Sequence, residues 1–327
     1  MGSKHRLLPW IEDVLGSLAF ESALDAFSGS ACVSYLLKAM GKRVHANDFL
    51  SFARDLAQAT VVNSSERLTS NEVMMLVADG DARGGFIERT FSGIFFTDEE
   101  NRFLDAVSSR LERLSPNKAA LARAALYRSC LKRQPRGVFT VGGRRYDDGR
   151  RDLRISLQQH FLESVDVFNG LLFDNGHMHA ATRGDVFDVD VSDIDLVYLD
   201  PPYVPRADDN CYIKRYHFLE GLSTYWHGVE LDPRSKVRKL RKRFTPFSYR
   251  RMAVDAFARL FEKFADTTIV LSYSSNGYPD LERLVSMISV YKPRVVVHEQ
   301  RHRYHFGTHG RVDQKRAVVT EFLVVGT

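Results

Sequence analysis

The stretch from Ala23 to Asp48 limits the fold more than any other part of the chain. Ala23-Leu24-Asp25-Ala26-Phe27 reads as a short buried strand that breaks at Ser28-Gly29-Ser30. A helix follows through Val33, Leu36, Leu37 and Met40, and Gly41 supplies its stop. Arg43-Val44-His45-Ala46-Asn47-Asp48 is a second strand, ending in a carboxylate. Strand, tight turn, helix and parallel strand make a βαβ unit, which commits this part of the chain to an α/β sheet.

The remainder divides by rhythm. Leu7–Leu18 has helical spacing, with Pro9 in a first turn. After about residue 60 the α/β alternation stops. Asn71–Ala78, Asp98–Leu114 and Pro116–Lys132 read as helices, and Glu99 and Glu100 favour the start of the second. Between and after them lie the Gly-Arg loops Arg83-Gly84-Gly85 and Gly142-Gly143-Arg144-Arg145. Residues 61–169 are therefore expected to form an inserted, mainly helical module. Alternation resumes near residue 170, where Asp174-Asn175-Gly176 is a turn signal between apolar stretches. Ile194–Leu199 and Thr267–Tyr273 read as buried strands, and Arg251–Phe264 and Pro279–Ile288 as helices. Arg294–Glu299 and Ala317–Val325 close the chain as an antiparallel β pair. The expected fold is an open α/β sheet over residues 1–60 and 170–327.

The 327 residues, 44% hydrophobic and 27% charged, are enough for one large domain plus a module with a packed core. Cys32, Cys130 and Cys211 are scattered and odd in number, so neither a disulfide framework nor a C-x-x-C metal pair is expected. No stretch reaches the roughly 20 apolar residues of a membrane span, and no signal-peptide pattern opens the chain, so a soluble cytoplasmic protein is expected. A net charge of +5 becomes informative only where basic residues cluster.

Asp200-Pro201-Pro202-Tyr203 follows directly on an apolar strand. Ligands of open α/β sheets sit outside the carboxyl ends of the strands, which suits this position to a site. Two prolines end the hydrogen-bond ladder and stiffen the turn. The Asp200 carboxylate and nearby carbonyls then converge as acceptors for the two N–H groups of an exocyclic amine, and Tyr203 offers a face to a planar base. The small-residue turn Asp25–Ala31 lets a ligand approach the backbone, but it is neither a Walker loop nor a three-glycine dinucleotide fingerprint. Asp48 can accept both hydroxyls of a ribose, or cap a helix starting at Phe49.

These motifs, in this order, resemble the Dam-like (alpha-group) N6-adenine DNA methyltransferases. The resemblance rests on Gly2-Ser3-Lys4, Asp25-Ala26-Phe27-Ser28-Gly29-Ser30-Ala31, Ala46-Asn47-Asp48, Gly184-Asp185-Val186-Phe187, Asp200-Pro201-Pro202-Tyr203 and Ser272-Tyr273-Ser274-Ser275-Asn276-Gly277. It covers residues 1–60 and 170–327, while the insertion matches in placement and helical character. Ala31 stands where the family usually has the second glycine of its Phe-x-Gly-x-Gly turn. The resemblance implies a Rossmann-like fold with a target-recognition insertion, S-adenosyl-L-methionine as cofactor and double-stranded DNA as partner. It further implies that Lys4 contacts the cofactor, that Asp25, Phe27, Ser28 and Gly29 lie beneath its methionine part, and that Asp48 holds its ribose. Asp185 would accept from the cofactor's adenine amino group, with Val186 and Phe187 beside the ring. Modification of host or phage DNA, with or without a cognate restriction endonuclease, is the implied role.

The expected chemistry is methylation of adenine N6 after the base leaves the stack, at a cost of a few kcal/mol. Stacking on Tyr203 would return roughly 1–3 kcal/mol. Asp200 and the Pro201 carbonyl would draw the amino nitrogen toward a tetrahedral form that aims its lone pair at the sulfonium methyl, with no metal and no covalent intermediate. Phosphate contacts are expected from Lys236, Arg238, Lys239, Arg241, Lys242 and Arg243, joined by Tyr212, Lys214, Arg215 and Tyr216, although a solvated helix face also fits the run. Arg144, Arg145, Arg150, Arg151 and Arg154 form a second basic group, which could read guanine edges or touch phosphate. His302, His305 and His309, among Arg301, Arg303 and Arg311, read as a basic loop beside the β pair. The same turn chemistry could serve cytosine N4, adenine in RNA or a protein glutamine, and a non-catalytic DNA-binding scaffold is the reading from another class.

Overall fold

The computed structural model describes residues 4–78, 83–134, 137–139, 149–202, 204, 212–303 and 318–327. Its contacts group the chain into two compact units, Gly2–Phe49 with Asn175–Cys211 and Arg243–Thr327, and Leu50–Asp174 with Tyr212–Lys242.

The first unit is built on seven strands: β1 Ser22–Asp25, β2 Arg43–Asp48, β3 Ala180–Arg183, β4 Leu196–Leu199, β5 Thr268–Ser274, β6 Val295–Arg303 and β7 Val318–Gly326. They lie in the order β3-β2-β1-β4-β5-β7-β6. The first five are parallel, and β7 runs antiparallel to both β5 and β6. This is a Rossmann-like sheet carrying the expected antiparallel terminal pair, in register from Val295 opposite Gly326 to Arg303 opposite Val318.

Burial explains which strands can be read from sequence. β1 and β4 are buried at every position, as central parallel strands covered on both faces are; β4 reads as an unbroken apolar run, and β1 as a short apolar pair leading into Asp25. β3 is short, mostly exposed and at the sheet edge, so it carries no such signal and goes unread. β6 extends to Arg303, so Arg301 and His302 are strand residues rather than part of a basic loop. His305, His309 and Arg311 lie outside the described residues. The helix Arg250–Lys263 buries Ala253, Ala256, Phe257, Leu260 and Phe261 in the core formed by β1, β4 and β5. The helix Leu8–Gly16 precedes β1, and Leu281–Ile288 lies between β5 and β6.

The second unit is mainly helical over its described residues, with the helices Ser51–Ala57, Ser70–Val77, Phe86–Phe91, Asp98–Arg110, Pro116–Arg133, Leu157–Gly170 and Tyr212–Ser223 prominent. Thr69 with Glu72, and Thr97 with Glu100, close reciprocal capping boxes on two of them. The Asp174-Asn175-Gly176 turn therefore follows a helix, Leu157–Gly170, rather than a strand. The sequence assigns Tyr212–Lys242 to the sheet, yet its contacts are with the helices. Phe218 stacks on Phe139 at 5.0 Å and meets Phe91 edge-on at 5.0 Å, while Trp226 lies 4.9 Å from Phe91. Burying each such ring is worth about 1.5–3 kcal/mol, enough to hold a sequence-distant segment in place.

Candidate active site

The strand order reverses between β1 and β4, the position where open α/β sheets form a ligand crevice. Three carboxylates sit at or just after the carboxyl ends of the strands around this point. They are Asp25 on β1, Asp48 on β2 and Asp200 after β4.

Asp25 is buried, and its Oδ2 accepts the Ser34 hydroxyl at 2.6 Å. Burial pushes its pKa up to about 7; Ser34 opposes that rise, and the charges of Asp200 and Asp48 add to it. Its Oδ1 has no hydrogen-bond partner among the described residues, and neither does the buried Ser28 hydroxyl three residues on. Gly29 is left-handed at φ 50°, and its N–H donates to Asp48 Oδ2 at 2.8 Å. Asp48 is thus fastened to the turn rather than capping the next helix, which starts at Ser51 after Leu50. Ala31 is also left-handed, at φ 58°, where glycine would avoid about 1–2 kcal/mol of strain.

Asn47 ties the neighbouring ends together, donating to the Ala26 and Gly184 carbonyls while accepting from the Thr182 hydroxyl. Asp185 is exposed and opens the short helical turn Val186–Asp188, its Oδ1 accepting the Phe187 N–H at 3.1 Å. Val186 belongs to the core. Phe187 stacks parallel to Phe247 at 6.0 Å, Phe27 meets Phe247 edge-on at 5.6 Å, and the Arg259 guanidinium lies 4.3 Å from the Phe187 ring centre. These residues form an aromatic wall beside the acidic strand ends.

Asp200 leaves β4 with its side chain 25% exposed, next to buried Pro201 and half-buried Pro202. Lys4 Nζ stands 3.5 Å from Asp200 Oδ1 and 2.9 Å from Glu321 Oε2 of β7. Burial raises the Asp200 pKa, Lys4 pulls it down, and Glu321 adds to the rise. Sequence reading did not find Glu321. Its signal was an acid in a strand whose alternate positions Val319, Leu323 and Val325 are buried and apolar. Tyr203 lies outside the described residues.

A family model described as D12 class N6 adenine-specific DNA methyltransferase matches residues 1–284. The chain belongs to that family. It is 31% identical over 320 residues to the type II methyltransferase M2.HphI of Haemophilus parahaemolyticus, covering 93% of this chain and 90% of the relative. It is 23% identical over 290 residues to the type II methyltransferase M.NlaIII of Neisseria lactamica, covering 85% and 83%. It is also 23% identical over 314 residues to the modification methylase StsI of Streptococcus sanguinis, spanning 88% of this chain but 45% of that protein.

In this D12 class enzyme the expected cofactor residues Lys4, Asp25, Phe27, Ser28, Gly29, Asp48, Asp185, Val186, Phe187 and Asp200 all fall in the sheet unit. The expected DNA contacts are divided. Lys214 and Arg215 lie on the helix that Tyr212 opens, with Arg215 exposed. Tyr216 is buried against Phe52, so it is a core residue and not a contact for a base. Lys236–Lys242 is not a helix: the segment is folded by the Leu231–Leu240 bridge and by Arg241 N–H donating to the Glu230 carbonyl. Lys236, Arg238, Arg241 and Lys242 are exposed, Lys239 is half-buried, and Arg241 pairs with Glu230 at 2.8 Å. Arg243 falls in the sheet unit, its guanidinium 5.8 Å from the Phe49 ring centre. Arg151 pairs with Glu163 at 2.6 Å, which holds the Glu163 carboxyl down at about 2, and Arg144 and Arg145 lie outside the described residues. No described helix is long and apolar enough to cross a membrane.

Proposed function

We propose that this D12 class enzyme transfers a methyl group from S-adenosyl-L-methionine to N6 of an adenine swung out of duplex DNA, at the turn Asp200-Pro201-Pro202-Tyr203. The observation that carries the reading is the meeting of Asp25, Asp48 and Asp200 at the switch point of the sheet. The residues present fit the cofactor. Buried Asp25 Oδ1 and Ser28 Oγ lack partners among the described residues, and a left-handed glycine turn lets a polar ligand approach. An unsatisfied buried polar atom costs about 1–3 kcal/mol, so a ligand that completes the pair is stabilised by them.

Asp25, Phe27, Ser28 and Gly29 would seat the methionine part, Asp48 the ribose hydroxyls, and Asp185 with Val186 and Phe187 the adenine, with Lys4 at the base of the site. The bound cofactor supplies an electrophilic methyl on a sulfonium. The chain orients the acceptor. Asp200 and the Pro201 carbonyl take the two N–H groups of the extruded adenine, favour a tetrahedral nitrogen and aim its lone pair. Tyr203 stacks on the base, and the rigid prolines hold this geometry while water is kept out.

The helical unit acts as the target-recognition domain. Lys214, Arg215, Lys236, Arg238, Lys239, Arg241, Lys242 and Arg243, with Tyr212, Arg144 and Arg145, bind the duplex mainly through phosphate. The role is restriction-modification or modification of host or phage DNA in the cytoplasm. The reading is tested by incubating duplex DNA with labelled cofactor and resolving the nucleosides by mass spectrometry. N6-methyladenine is expected, and its loss in Asp200→Asn with cofactor binding retained. N4-methylcytosine, or turnover undiminished in Asp200→Asn, would overturn it.

A further inference from the structure

β7 places a carboxylate where its own pattern calls for a hydrocarbon. Val319, Leu323 and Val325 are buried and apolar, yet Glu321 between them is 1% exposed. It stands opposite Ser274 on β5 and Gln300 on β6. Burying a carboxylate is costly unless it is paired, and an apolar side chain is often the more stable choice. The fold alone does not call for this acid.

Its partner shows what it is for. Lys4 Nζ donates to Glu321 Oε2 at 2.9 Å, a full charge-assisted hydrogen bond, but stands 3.5 Å from Asp200 Oδ1, beyond that bond's ordinary length. Two carboxylates face one ammonium, and the ammonium is committed to the one remote from the proposed chemistry.

We propose that Glu321 is a positioning residue for methyl transfer: it holds Lys4 near enough to Asp200 to keep that carboxylate charged, yet too far to occupy the lone pairs that receive the adenine amino group. The inference rests on the reading of Asp200 as the acceptor. With Glu321 neutral, the pull that holds Lys4 back from Asp200 weakens and Lys4 moves closer to that carboxylate. The carboxylate is then more strongly ionised but no longer open. Charge near Asp200 comes from Lys4 in the turn Lys4–Leu7, Glu321 on β7 and Asp25 on β1, with Asp48 on β2 acting on Asp25 and the Tyr198 phenol on β4 neutral.

The sign of the pH effect separates this role from a structural one. Turnover requires ionised Asp200, so it falls as pH drops through the carboxyl's pKa. Glu321→Gln removes a negative neighbour and weakens its hold on Lys4, and both changes move that acid limb to lower pH, by about half a unit or more. kcat should fall about tenfold while KM for DNA changes less than about threefold. Glu321→Asp keeps the charge on a shorter arm and draws Lys4 away from Asp200, so its acid limb moves to higher pH. Carbon-13 NMR titration of the Asp200 carboxyl in the cofactor-free protein should show the same opposed shifts. Thermal melts identify folded variants, and either variant suffices for the test. An acid limb and carboxyl titration that stay in place, or move the other way, in a folded variant would overturn the proposal. Asp200→Asn separates the two layers: full activity there removes the reading of Asp200, whereas an inactive Asp200→Asn beside an unmoved Glu321 variant removes this inference alone.

Discussion

The two units bury acids for opposite ends. In the helical unit, Asp105 accepts the Ile87 and Glu88 N–H groups and the Tyr225 hydroxyl, and Glu220 accepts Phe52 N–H and the Ser51 hydroxyl. Each satisfies the open start of a helix. In the sheet unit, Asp25 keeps one oxygen without a partner among the described residues, and Asp200 stands 3.5 Å from its lysine. Saturated acids hold structure together, while acids left short of donors are poised for a ligand. The contrast separates structural carboxylates from those proposed to meet a ligand better than burial does, because Asp105 and Asp25 are buried alike.

The largest effect expected on this view is at Asp200. Asp200→Asn should lower kcat about a hundredfold to a thousandfold with little change in melting temperature, measured by tritium transfer and calorimetry. Asp105→Asn should do the reverse. It should cost on the order of 3 kcal/mol by denaturant unfolding and leave turnover per folded molecule near wild type. If both variants lost activity to the same degree, the distinction would fail.

Asp25 gives a sharper test, because its pKa stands near 7 against an ordinary 3.8. The folded state holds this proton more tightly than the unfolded chain does, so the contribution to stability is present below about pH 4 and is lost as pH rises toward 7. The cofactor-free protein should therefore lose a few kcal/mol over that window, and Asp25→Asn should flatten the slope. An unchanged slope in the variant would mean Asp25 already ionises freely. The smallest effect belongs to the exposed cations. Arg238→Ala or Lys242→Ala should weaken DNA binding a few-fold on any sequence and reduce the salt slope by about one, as measured by fluorescence anisotropy.

What could be read in advance follows from these same forces. β1, β4 and β5 announce themselves because strands covered on both faces are rich in apolar side chains, Ala23-Leu24, Leu196–Leu199 and Ile269–Leu271 among them. The loops at their ends stand out because glycine and proline are needed there. β3 escaped because an exposed edge strand of four residues has no pattern to show. Tyr212–Lys242 was assigned to the sheet because its charge is visible in sequence, whereas the rings that Phe218 and Trp226 meet come from far upstream. Asp25, Asp48 and Asp200 were legible from position after a strand. Glu321 was not, since only the folded sheet reveals that its neighbours are oil and its partner is Lys4.

That pairing spans 317 positions of the chain. A polypeptide still emerging from the ribosome carries Lys4, the turn at Gly29 and Asp200 long before β7 is made. On the proposed role of Glu321, full turnover therefore waits for β7. A premature stop ahead of Val318 would remove Glu321 together with the strand that joins β5 to β6.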